Sequence, residues 1–309
     1  MFLDDHAQCT GSGRQVLLFY QLNIIAMKKI LVPCDFSKPA INAYRFALDI
    51  AAQSKGTIHL LNVIELPVMH DTVLMPVLNF EEQLLKDLRE NAEGRFKKIT
   101  DKYNAEGVKV ITTVQFGAVS RMIQDYITDK SVDLVTMGSH GASGLREFFI
   151  GSNAEKMVRN SPVPVLVIKD YYKGPIKNIV FPNTLDTENQ EDLVMKVKAL
   201  QNFFKAHLHI VWINTPLNFT SDNVTKERLQ AFTKRFLLKD YTISVFNSTD
   251  EEQGVIQFSN SIKGDLIAMG THGRRGVSHL INGSLAEDVV NHNKGLVWTY
   301  SLQNELVEA

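Results

Sequence analysis

Apolar and polar positions along this chain alternate between two rhythms. Short runs rich in β-branched and aliphatic residues read as buried strands: "KKILVPCD" (28–35), "TIHLLNVI" (57–64), "VKVITTVQFG" (108–117), "VDLVTMG" (132–138) and "VPVLVIK" (163–169). Between them apolar residues recur every three or four positions. Ala40, Ala43, Tyr44, Ala47, Ile50 and Ala51 follow a helix start at Ser37 and Pro39, and Leu85, Leu88, Ala92, Phe96 and Ile99 share a later face. A third helix is "SRMIQDYITDK" (120–130). Apolar strands alternating with amphipathic helices predict an α/β fold, a parallel sheet with crossover helices.

The whole pattern then recurs. "IKNIVFPN" (176–183), a helix near 187–206, "HLHIVWIN" (207–214), a helix near 223–239, "YTISVFNS" (241–248), "DLIAMG" (265–270) and "GLVWTYS" (295–301) replay the first half. Ile30 aligns with Ile179 at an offset of 149, and Gly138 with Gly270 at an offset of 132. About seventeen residues are therefore missing from the second copy, and the strand matches put the loss between strand two and its helix. The expectation is a long loop, Leu66 to Glu82, peculiar to the first copy and placed to fold over a ligand as a lid. Gly174 and Pro175 break the pattern between the copies. The expected layout is an extension over 1–26, a first domain over 27–170 and a second over 176–302. In the extension, "VLLFYQLNIIA" is apolar but follows acidic "MFLDD", a poor match to a signal peptide. An added arm, or a start upstream of a natural Met27, describes it better.

Composition narrows the function classes. A chain of 309 residues, 44% hydrophobic and 22% charged, is that of a soluble two-domain protein. A net charge of −1 lacks the clustered cations of a nucleic-acid binder, and no run of eighteen apolar residues suggests a membrane span. Two cysteines, Cys9 and Cys34, make neither a CxxC pair nor a disulfide framework, so the expected location is the cytoplasm, with Cys34 a small buried side chain.

The chemistry-bearing segment is "GSHGASGLREFFIGSNAEKMV" (138–158), whose G-x-x-G-x9-G-S spacing returns in "GTHGRRGVSHLINGSLAEDVV" (270–290). In an open parallel sheet, ligands sit beyond the carboxyl ends of the strands, and Asp35, Val63 and Gly138 fall at such ends. Gly138 and Gly141 can take backbone conformations closed to other residues and bring main-chain N–H groups close to a ligand. Gly151 and Ser152 open a helix whose bare amides and dipole favour an anion. A purely structural alternative stands beside this. Ser152 with Glu155, and Ser284 with Glu287, have capping-box spacing, Asp35 suits a turn carboxylate near Ser37, and His140 suits a turn histidine. No Walker-type G-x-x-x-x-G-K-[ST] occurs, and the glycines follow strand four, unlike a dinucleotide fingerprint.

The glycine spacing, the start "KILVPCDFS" and the ending "SPVPVLVIK" resemble the universal stress protein family, here as a tandem two-domain member over nearly all of 27–309. That resemblance implies two five-stranded parallel sheets in the Rossmann-like order 3-2-1-4-5, pairing through their fifth strands as a pseudo-dimer, with further homodimerisation left open. It also implies an adenine nucleotide, ATP or else AMP or ADP, with or without Mg2+. Pro33 and Met137 would wall the base, Asp35 would take the ribose hydroxyls, and the backbone at Val63 would meet the adenine edge. Gly138, His140, Gly141, Gly151, Ser152 and Asn153 would surround the phosphates. In the second copy Gly270, Gly273, Gly283 and Ser284 survive, but Thr184 replaces Asp35 and Thr249 replaces Gly117. A neutral hydroxyl in place of a carboxylate weakens a ribose contact by roughly 1–3 kcal/mol, so the first domain is expected to be the better site. His140 and His272 have no evident orienting carboxylate, and no metal-ligand spacing occurs. The expected role is regulatory nucleotide binding without catalysis, against a nucleotide-independent scaffold or a slow ATPase.

Overall fold

The structure is a computed structural model and describes residues 27–65, 77–139, 150–185, 190–272 and 282–302. The first half contains β1 (Lys29–Pro33), α1 (Lys38–Ser54), β2 (Thr57–Ile64), α2 (Val77–Lys102), β3 (Lys109–Phe116), α3 (Val119–Lys130), β4 (Leu134–Gly138), α4 (Ser152–Asn160) and β5 (Val165–Ile168). The second contains β6 (Asn178–Pro182), α5 (Glu191–Phe204), β7 (His207–Asn214), α6 (Asp222–Arg235), β8 (Tyr241–Asn247), α7 (Glu251–Ser261), β9 (Leu266–His272), α8 (Asn282–His292) and β10 (Leu296–Leu302).

The ten strands among the described residues form one sheet in the order β3-β2-β1-β4-β5-β10-β9-β6-β7-β8. Each half therefore has the 3-2-1-4-5 order, with parallel pairing inside it, and the halves meet where β5 runs antiparallel to β10. There Trp298 pairs with Leu166 and is itself 1% exposed. A long sheet with both faces covered needs strands that are apolar on both sides. β4 and β5 are accordingly buried throughout. On one face α1, α2, α5 and α6 pack Tyr44, Phe96, Leu193 and Phe232 onto the sheet. On the other, α3, α4, α7 and α8 pack Ile123, Met157, Phe258 and Val289.

Repeated local devices fix the strand starts. Asp133 Oδ2 accepts the amides of Lys28 and Lys29, and Asp265 Oδ2 accepts those of Lys177 and Asn178, so one carboxylate ties the first strand of each half to the fourth. Phe36 and Leu185, at equivalent turns after β1 and β6, both have left-handed backbone, φ 67° and 58°.

The missing residues of the second copy come mainly from a helix rather than a loop. α2 has 26 residues and α6 has 14, and Val77–Glu82, expected as loop, belongs to the first turns of α2. The rest of the expected lid, 66–76, lies outside the described residues. Among the described residues, no helix is long and apolar enough to cross a membrane.

Candidate functional site

Strand order reverses between β1 and β4, whose crossover helices α1 and α4 lie on opposite faces. This leaves a crevice beyond the carboxyl ends of the two strands. It is a cavity of about 160 Å3, lined by Pro33, Asp35, Val63, Met137, Gly138, Gly151, Ser152 and Asn153 together with Cys34, Ala40, Leu61, Asn62, Val119, Ile123 and Ala154. The eight first-named residues come from four separate segments. His140 and Gly141 lie outside the described residues.

The floor is built by the strand ends. Cys34 N–H donates to the Leu61 carbonyl at 2.7 Å, and the buried Asn62 side chain donates to the Cys34 carbonyl at 2.8 Å, locking the exit of β1 against β2. Burial pushes the Cys34 thiol up to about 12, so it is a neutral wall rather than a nucleophile. At the rim, Asp35 is exposed, and its Oδ1 accepts the Ser37 amide at 3.0 Å. The turn role proposed for this carboxylate is thus real. A carboxylate offers about four acceptor lone pairs, so that bond does not use up its capacity. Ser37 caps α1, its Oγ accepting the Ala40 amide at 3.3 Å.

Gly138 is glycine for a reason other than backbone freedom. A Cβ there would stand 2.7 Å from the Pro39 carbonyl carbon and 2.8 Å from the Ala40 nitrogen. The start of α1 is pressed onto the end of β4, and left-handed glycines among the described residues are Gly107, Gly117 and Gly174 instead.

The anion-facing end is α4. Its N-cap is Gly151, with φ −64° and ψ 143° and no side-chain cap bond, and Ser152 is the first helical residue. The expected Ser152–Glu155 capping box is therefore not formed. In the second half α8 already begins at Asn282, so Ser284 lies inside the helix and is no N-cap either. Gly151 N–H donates to the Ser139 carbonyl at 2.7 Å, carrying the chain from β4 into α4. First-turn amides without a side-chain cap, at the positive end of a helix dipole, favour a negative ligand. Asn153 Oδ1 accepts the Ser120 hydroxyl at 3.1 Å, joining α4 to α3.

The second half has a matching cavity of about 110 Å3, with Pro182, Thr184, Met269 and Gly270 in the places of Pro33, Asp35, Met137 and Gly138. Its chemistry differs. Thr184, Asn183 and Gln190 bond one another: Asn183 Nδ2 donates to Gln190 Oε1 at 2.7 Å, and Gln190 Nε2 to Thr184 Oγ1 at 3.4 Å. Glu251 stands where the first half has Val119, and Leu285 where it has Asn153. A carboxylate in the lining opposes an anion. Gly273 lies outside the described residues, and of Gly283 and Ser284 the helical backbone alone is described.

Sequence reasoning missed Asn62, Val119 and Ile123. Asn62 left a signal, a polar residue inside the apolar run "TIHLLNVI"; the other two are apolar residues at a helix start and left none. Among the described residues, no three His, Cys, Asp or Glu side chains gather as a metal-binding group.

Two doubly wound α/β domains joined edge to edge, each with a crevice at its switch point, define the class of protein. The model for the Universal stress protein family matches residues 27–169 and again 177–299, so this chain belongs to that family. Universal stress protein MJ0531 of Methanocaldococcus jannaschii is 30% identical over 159 residues, covering 50% of this chain and 92% of its own length. Universal stress protein MJ0577 of the same organism is 30% identical over 156 residues, covering 47% and 96%. Both are single-copy relatives of a doubled chain. A crystal structure of a universal stress protein from Archaeoglobus fulgidus overlays on 90% of this chain and 99% of its own, with a TM-score of 0.66 and 17% identity, a likeness of fold. A universal stress protein solved in complex with cAMP has a TM-score of 0.32 at 15% identity over 40% of this chain and 95% of its own, too distant to bear on this crevice.

Proposed function

We propose that the first half binds an adenine nucleotide, ATP, and that the protein is a nucleotide-responsive regulator in the cytoplasmic stress response rather than an enzyme. The observation that carries this reading is the start of α4, whose N-cap is a glycine without side-chain capping, opening into the same cavity as the Asp35 carboxylate. One cavity thus joins an anion-favouring end, a hydroxyl-accepting rim and an apolar floor, the three parts of a nucleotide. The base packs between Pro33, Val63 and Met137, the ribose hydroxyls donate to Asp35, and the phosphates accept from the amides of Ser152 and Asn153 and from the Ser152 hydroxyl, the Gly151 amide being held by the Ser139 carbonyl. The second crevice, with its self-bonded amides and Glu251, is the weaker site. The proposal assigns no role to a metal.

Family membership supports the stress-response setting. The absence of catalysis is part of the proposal, resting on a neutral Cys34 and on Asp35 being committed to the ribose end. The scaffold reading keeps one observation in its favour: packing alone accounts for Gly138. Calorimetry separates the two. ATP is expected to bind with one strong site per chain, weakened in Asp35→Ala and Gly151→Val, and no heat at millimolar ATP would favour the scaffold. Product analysis after incubation with ATP tests the rest, because turnover of about one per second or faster is enzymatic.

A further inference from the structure

We propose that Asn291, on the second half's α8, is a positioning residue for the start of α4, so that the second half sets how tightly the first half's crevice holds phosphate. The inference rests on the nucleotide reading above and adds an inter-domain control to it.

The residue just before the N-cap of α4 is Ile150, and its amide donates to Asn291 Oδ1 across the domain boundary. Lys169, just past β5, donates its ammonium to the Asn291 carbonyl. Ser139 N–H donates to the Ile168 carbonyl at 3.0 Å, and Ser139 in turn accepts from Gly151. These bonds close a ring through 139, 150–151, 291 and 168–169 around the entry to α4, and Asn291 is the member contributed by the other half. The far end of the helix is gripped as well. Arg159 reaches Glu287 with Nε at 2.7 Å and Nη2 at 2.6 Å, while Thr271 Oγ1 and Ser301 Oγ donate to the Val158 and Arg159 carbonyls, both at 3.1 Å. Both ends of α4 are thus held by α8, β9 and β10.

The clamp also breaks the internal symmetry. The offset of 132 that aligns Gly138 with Gly270 aligns Arg159 with Asn291, so the residue that clamps the first crevice has a guanidinium as its counterpart. That guanidinium is engaged with Glu287 and Glu155. Arg159, a donor, therefore cannot return to the start of α8 the acceptor that Asn291 gives to the start of α4.

Removing the Asn291 side chain leaves the Ile150 amide without its protein acceptor and frees the backbone at 150–151. ATP affinity of Asn291→Ala is expected to fall about tenfold, the size of one net hydrogen bond, while affinity for adenosine, which lacks phosphate, stays within about twofold. Asn291→Asp keeps an acceptor for the amide and restores ATP affinity to within about threefold. Calorimetry on the full chain with both ligands reads this, and hydrogen exchange of the 150–153 amides, expected to speed up in Asn291→Ala, reads the clamp independently of any ligand. Equal losses for ATP and adenosine, or unchanged ATP affinity in Asn291→Ala, overturn the positioning role. Unchanged exchange overturns the clamp itself. Failure of the wild-type chain to bind ATP, with exchange nevertheless accelerated in the variant, overturns the nucleotide reading and the affinity claim built on it but leaves the clamp standing.

Discussion

The paired glycines at the end of β4 and within β9 make a sharp prediction, because the same substitution meets different neighbours in the two halves. Alanine at Gly138 would put its Cβ 2.7 Å from both the Pro39 carbonyl carbon and the Pro39 Cβ, and 2.8 Å from the Ala40 nitrogen. Carbon contacts are comfortable at about 3.5–4.0 Å, so the start of α1 must retreat by roughly 0.8 Å, and backbone has no rotamer with which to evade. Overpacking of this kind costs about 2–3 kcal/mol, offset by about 0.4–1 kcal/mol from the reduced freedom of the unfolded chain. Gly138→Ala should therefore destabilise by about 1–2.5 kcal/mol. At Gly270 the new Cβ meets the Leu193 Cδ2 methyl at 2.8 Å and its next neighbours at 3.6 Å and 3.7 Å. A methyl at the end of a flexible side chain turns aside for about 0.5–1.5 kcal/mol, nearly cancelled by the same unfolded-state gain. Gly270→Ala should lie within about 1 kcal/mol of wild type. Urea unfolding followed by circular dichroism compares the two midpoints. A Gly270→Ala chain as unstable as Gly138→Ala, or a Gly138→Ala chain of wild-type stability, would refute the argument that packing against α1 is what excludes a side chain.

Other perturbations test other parts of the account. Trp298→Ala empties the centre of the seam between the halves and should cost about 3–5 kcal/mol in the same urea assay; a loss below about 1 kcal/mol would mean the seam is not held by this ring. Burial holds His59 below its ordinary value of 6.5, and His209 likewise, so the unfolded chain takes up the proton first and stability is lost as pH falls below about 6.5. His59→Gln should flatten the fall in urea midpoint between about pH 7.5 and 5.5, and an unchanged slope would assign the pH dependence elsewhere. Breaking the Arg159–Glu287 pair with Glu287→Ala removes both short bonds of a half-buried guanidinium, leaves it the 3.4 Å contact to Glu155, and should lower stability by about 1–3 kcal/mol, more than the exposed Arg121–Asp125 pair does when Asp125→Ala breaks it; equal losses would contradict this.

Much of the fold was legible because parallel strands covered on both faces are nearly continuous apolar runs, as at β4 and β5, and because each run appears twice. The pairing of the fifth strands followed from family resemblance rather than from any residue, since nothing in "VPVLVIK" or "GLVWTYS" says which edge it meets. Helix starts were less legible. Ser152 has the spacing of a cap, yet the chain reaches α4 through the Gly151–Ser139 bond and Gly151 takes the cap position, a tertiary choice invisible to a local motif. The length of α2 was hidden because "VLNFEE" follows Pro76 and carries no cap signal. The crevice residues at strand ends could be named from sequence, whereas Val119, Ile123 and the inter-domain reach of Asn291 depend on which elements the fold brings together.

The central claim, an adenine nucleotide in the first crevice, is tested most directly by photolabelling with an azido-adenine analogue of ATP followed by peptide mapping. The account predicts labelled peptides containing Pro33, Val63 or Met137, with labelling suppressed by excess ATP and reduced in Asp35→Ala. Label that ATP does not displace, or that falls on the second crevice around Pro182 and Met269 instead, would contradict it.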